Sequence, residues 1–180
     1  MRTLTTVGAG LLLVALAAGC GSQRTVVRTV TVERKPPASA MGDQRLYGRL
    51  ESLVPEGNHY VLRFDPAWFT SGVTANVAQA ADQGTHCRPS ACPPVANDNY
   101  VVDEGHRRLT YIVPADVRGT VLTRKGSVGG PFPATRITVA QLAELVAGTS
   151  SLQLFEPLST GVWILVHVDT VRSFAQQYVP

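Results

Sequence analysis

The chain has 180 residues, a formal net charge of +3 and three cysteines. Four cations (Arg24, Arg28, Arg34, Lys35) and Glu33 fall in residues 21–42 and Arg2 precedes them, which leaves residues 43–180 at −1. The basic character therefore belongs to the N-terminal segment, and a nucleic-acid footprint, which needs cations clustered on the folded domain, is not expected.

The chain opens "MRTLTTVGAGLLLVALAAGC": Arg2, an apolar run of twelve residues from Val7 to Ala18, then small residues before Cys20. This is the three-part layout of a signal peptide, and the run falls short of the roughly 20 residues that cross a bilayer. "L-A-A-G-C" looks like a bacterial lipobox, with cleavage after Gly19 and diacylation of the Cys20 sulfur. A spare thiol is a liability in an oxidising compartment. Lipidation of Cys20 uses the odd cysteine and leaves Cys87 and Cys92 as a pair. The expectation is a signal peptide over 1–19, a lipid anchor at Cys20 and a protein facing the extracytoplasmic side of the cell membrane. Acyl chains in the plural give stable attachment.

Residues 20–42 read as an extended linker. Pro36 and Pro37 resist helix, and the cations suit anionic head groups or wall polymers, or serve only to keep the linker solvated. "TVVRTVTV" alternates well enough to add an edge strand.

Residues 43–180 have the size of one domain. "RLYGRLESLV", the turn "PEGNH" and "YVLRFD" predict a hairpin, with Tyr60, Leu62 and Phe64 on one face. "TSGVTANVAQAADQG" shifts to helical spacing, with Val73, Val77 and Ala80 or Ala81 as its apolar side and Gly84 at the stop. "NYVVDEGHRRLTYIVP" offers a short strand, a turn at Glu104-Gly105, and a strand presenting Leu109, Tyr111 and Val113. "VRGTVLT" is another strand, and "TRKGSVGGPFPA" is a loop. "TVAQLAELVAG" is a helix with Thr138 and Gln141 as a capping box, Val139, Leu142 and Val146 as its stripe, and Gly148 as its end. "SLQLF" and "GVWILVHVDTV" close the chain as strands. The predicted class is α+β, a small twisted antiparallel sheet or open barrel of about six strands with two short helices.

Cys87 and Cys92 enclose "RPSA", a loop short enough for a disulfide. The competing reading, zinc with His86 and His106, lacks four ligands at usual spacings. No metal or other cofactor is expected.

"FDPAWFTSGVTANVAQAADQG", "NDNYVVDEGHRRLTYIV" and the closing "QQYVP" resemble a group of uncharacterised secreted proteins and lipoproteins of Gram-positive bacteria. That group shares an aromatic-then-TG-like turn into an Ala-rich helix, an Asn-Asp-x-Tyr stretch and a Tyr-x-Pro terminus. The match covers about a third of the domain; Ser71 departs from the tighter turn and the cysteine loop is an addition. The resemblance implies no activity.

G-x-S-x-G, H-E-x-x-H, the P-loop and G-x-G-x-x-G are all missing from the sequence. A list such as Ser127, His106 and Asp103 is one any chain of this size supplies. "NDNYVVDE" gathers oxygen ligands that suit calcium, but at spacings foreign to the known loop, and Asn and Asp at this density more often cap turns. His167, between apolar neighbours, reads as a core histidine. If the domain binds a ligand, the expected place is near Trp68, Asn97, Asp98 and Tyr100. The expected function is a membrane-anchored, non-enzymatic binding or scaffolding domain whose partner is a cell-envelope polymer or protein. The alternative is a cell-wall hydrolase using the carboxylates of "NDNYVVDE".

Overall fold

The computed structural model describes residues 42–124 and 133–179. The leader, Cys20, nearly all of the linker, and residues 125–132 with Ser127 lie outside the described residues.

The predicted hairpin is the longest feature of the fold. β1 (Gln44–Glu56) and β2 (His59–Ser71) pair antiparallel from Tyr47↔Ala67 to Glu56↔His59. Only Gly57 and Asn58 intervene, and Gly57 supplies the positive φ of 59° the tight turn needs. α1 (Gly72–Asp82) follows directly, then β3 (Asn99–Val102), β4 (Leu109–Pro114), β5 (Arg118–Leu122) and β6 (Ala134–Thr138). α2 (Val139–Val146), β7 (Val162–His167) and β8 (Thr170–Gln176) complete the order.

Five of the strands close a ring. β1 pairs β2, β2 pairs β4, β4 meets β8 in parallel at Ile112↔Thr170, β8 pairs β7, and β7 returns to β1. The expected barrel is therefore closed. Counted along the chain, its strands run in the order 1-2-3-5-4, with the third and fifth parallel and α2 between the third and fourth. That is the strand order of the OB-type barrel, an architecture that carries many unrelated functions. β3 extends the sheet from β2, while β5 and β6 extend it from β8.

The alternating residues of these strands fill the core. Phe64, Leu62, Tyr111, Val113, Val162, Ile164, Val166, Val171 and Phe174 are buried together, with Val139 and Leu142 of α2 packed on them. The α2 cap is as read: Gln141 N–H donates to Thr138 Oγ1, and Thr138 N–H donates back to Gln141 Oε1.

Several expectations change. "GVWILVHVDTV" is not one strand but β7, a two-residue turn and the start of β8, with His167↔Thr170 closing the turn. The turn was hidden because Val168 stands at φ 58°, a place where Gly or Asn is the usual signal. "SLQLF" forms only a single bridge, Thr123↔Leu154. β6 starts at Ala134, the last residue of the predicted loop, and fills the interval up to α2, to which no element was assigned from the sequence. α1 buries Ala75 and Ala80 while Val73 is exposed, because its small side chains let it lie close to β2 and β3. His167 is half-exposed rather than core, and its Nδ1 lies 3.0 Å from Asp43 Oδ1.

Candidate functional site

β2 changes partner partway along its length. From His59 to Phe64 its second edge pairs with β4, and from Trp68 to Ser71 with β3. Asp65, Pro66 and Ala67 fall in the gap, where the missing N–H of Pro66 costs no ladder bond. The loop 103–108 crosses this gap on its way from β3 to β4.

The split opens a groove of about 530 Å³. Its walls include Trp68 and Phe69 of β2, Tyr47 of β1, Trp163 of β7, and the cations Arg45 and Arg107. Tyr47, Phe69 and Trp163 form a three-ring cluster, with centroids 5.1 to 5.9 Å apart. The cluster is fixed from behind. The Tyr47 hydroxyl donates to the Thr160 carbonyl, Trp163 Nε1 donates to Gln177 Oε1 at 2.7 Å, and burial pushes the Tyr47 phenol above its usual pKa. Arg45 lies over the Trp163 ring at 4.3 Å, a cation–π seat that holds its guanidinium at the groove.

Trp68 is 59% exposed, the most exposed large hydrophobic side chain among the described residues. The His106 ring stands nearly perpendicular to it, with ring centroids 5.9 Å apart. His106 Nε2 is buried without a hydrogen-bond partner among the described residues, 3.7 Å from Glu104 Oε2. Behind the loop, Arg49 pairs with Asp103 and lies 3.9 Å from Asp65, and Arg108 pairs with Glu51. The hydrogen bond from Arg49 holds the Asp103 carboxyl below its usual pKa, helped by the Gly105 backbone N–H.

On its other side Trp68 lines a second groove of about 370 Å³ with Thr70, Thr74, Asp82, Val102 and Glu104. The Tyr100 hydroxyl donates to Asp82 Oδ2 at 2.7 Å across this region, and that bond is the main reason its pKa is raised.

Of the residues singled out from the sequence, Trp68 and Tyr100 are thus brought to one face of the β2–β3 pair. Asn97 and Asp98 line neither groove; they are exposed consecutive residues at φ 59° and 60° that turn the chain into β3. Cys87 and Cys92 are joined by a disulfide with Cα atoms 5.2 Å apart. The loop's exit is tied to α1 by Val95 N–H donating to Asn76 Oδ1. Among the described residues no group of three His, Cys, Asp or Glu is placed to hold a metal. Sequence reasoning missed Arg45, Tyr47 and Trp163, which reach Trp68 through strand register, and Arg107, which the loop 103–108 carries to the groove.

Comparison with protein-family models, curated proteins and solved structures finds no match to this chain.

Proposed function

We propose that this protein is a lipid-anchored, non-enzymatic binding domain of a bacterial cell envelope, tethered through Cys20 and using the aromatic groove beside Trp68. The observation that carries the reading is the exposed Trp68 indole, held edge-on by His106 beside three further rings and two guanidiniums. Exposed apolar surface of this kind marks interaction sites, and loops on a rigid scaffold are where binding groups concentrate. The lipobox and the resemblance to secreted Gram-positive lipoproteins support the compartment, and the cationic linker suits an anionic surface nearby.

A wall hydrolase is the second reading, favoured by one observation: Asp82 and Glu104 line the same groove. Against it, Asp103 is held charged by Arg49, the reverse of the raised pKa a general acid needs, and Asp82 is engaged by Tyr100.

Two measurements test the proposal. Cells given labelled palmitate should label the protein, and Cys20→Ala should abolish the label and release the protein from membranes. The full chain in detergent should co-sediment with purified Gram-positive wall sacculi, and Trp68→Ala should leave it in the supernatant. Label surviving in Cys20→Ala, or equal sedimentation of the Trp68 variant, would overturn the respective half.

A further inference from the structure

We infer that the groove selects an anionic saccharide, with a sugar ring lying on Trp68 and a carboxylate on that glycan taken by Arg45 and Arg107. The inference rests on the groove being the binding site, and adds the chemical class of the occupant.

The charge pattern points to it. No Asp or Glu lines the first groove, yet two Arg do. Among the described residues Arg45 and Arg107, like most of the arginines other than Arg49 and Arg108, have no ion pair; what sets these two apart is that both line one aromatic groove. A domain with a net charge of −1 thus keeps two guanidiniums unpaired in one aromatic groove. A purely apolar ligand would cover these cations without compensation, at a desolvation cost. A carboxylate compensates them with charge-assisted hydrogen bonds. A nucleic acid would need a larger basic surface than two arginines.

The second groove supplies the sugar half of the argument. Trp68 is a wall of both grooves, so a ligand crossing it touches rings and guanidiniums on one side and Thr70, Thr74, Asp82 and Glu104 on the other. Hydroxyls and carboxylates are acceptors for sugar hydroxyls, and the exposed indole gives a flat apolar plate for the C–H face of a pyranose. Asp82 and Glu104 repel an anion. The arrangement therefore sets a direction: the charged unit on the Arg45 and Arg107 side, a neutral unit on the Asp82 and Glu104 side.

The test is calorimetric titration of the full chain in detergent with two matched disaccharides. One is N,N′-diacetylchitobiose; the other is the same frame with a lactyl carboxylate on one ring, N-acetylglucosaminyl-N-acetylmuramic acid. The expected result is at least tenfold tighter binding of the acid at low salt, from about 1.4 kcal/mol of added interaction, with the gap narrowing as salt screens it. Arg45→Gln combined with Arg107→Gln should erase the gap, with an unchanged melting temperature reporting an intact fold. Trp68→Ala should weaken both. Equal affinity for the two sugars would overturn the anionic preference and leave the groove reading standing. Sacculus binding without either disaccharide, or an acetylated acidic tripeptide binding more tightly than both, would overturn the saccharide class. Loss of sacculus binding by the wild-type chain would instead sink the binding function itself.

Discussion

The Trp68 indole and the His106 imidazole meet edge to face, centroids 5.9 Å apart and planes 79° to one another, across the gap where β2 passes from β4 to β3. The contact fixes an exposed ring without burying it. Trp68→Ala therefore removes little packing, and its expected stability change is within about 1 kcal/mol. Urea unfolding followed by circular dichroism checks this, and a loss several times larger would make Trp68 a core residue rather than a binding plate.

Gly48 tests the tight coiling that shapes the groove. A Cβ there would stand 2.8 Å from the Phe64 ring and 2.9 Å from the Pro66 Cα, closer still to the Asp65 carbonyl. Backbone cannot retreat as a flexible side chain would, so Gly48→Ala should destabilise by about 2 to 3 kcal/mol. A variant that melts like wild type would mean β1 and β2 lie farther apart at this point.

Val168 carries strain. A β-branched residue at φ 58° is disfavoured, and a turn of this kind prefers Gly at its first central position. Val168→Gly should stabilise by about 1 kcal/mol after its unfolded-state entropy cost, a rise in Tm of roughly 3 °C. A fall in Tm would show that the Val168 side chain contributes more than its backbone costs.

The Arg49–Asp103 pair has a defined pH signature. The Asp103 pKa is lowered in the folded protein, so its stabilisation is present above the unfolded carboxylate value of about 3.9. It is lost as pH falls through the lower folded value. Carboxyl carbon NMR should find Asp103 titrating below the usual Asp range, and Arg49→Gln should move it upward. An unchanged midpoint in the variant would remove Arg49 as the cause.

The Cys87–Cys92 bridge closes a sequence separation of only five residues, and so short a loop is worth about 2 kcal/mol. Reduction should lower Tm yet leave the barrel folded, read from far-ultraviolet circular dichroism. Global unfolding would mean the loop organises more than its own segment.

Signals confined to a few neighbouring residues were legible in the sequence. The β1–β2 turn has Pro, Gly and Asn together, the α2 cap needs only Thr138 and Gln141, and the Cys87–Cys92 loop closes over four residues. Features set by tertiary contact were not. α1 buries Ala75 and Ala80 instead of Val73 because close approach to the sheet outweighs side-chain size. β6 is short and abuts a Gly- and Pro-rich stretch, which masks its pattern. Trp68 and Tyr100 stood out by residue type and proximity. Arg45 and Trp163 did not, because 118 positions separate them and only the β1–β7 register seats one on the other.

The most direct measurement uses the chain's two tryptophans, Trp68 and Trp163, which both line the groove. Their two indole N–H signals, resolved by ¹⁵N NMR of the full chain in detergent, report the site without mutation. On titration with soluble, enzymatically released wall glycan, both signals should shift in a saturable way, Trp68 the more strongly, while the Val168 amide stays still. Saturable binding by calorimetry with both indole signals unmoved would place the ligand elsewhere and contradict the account.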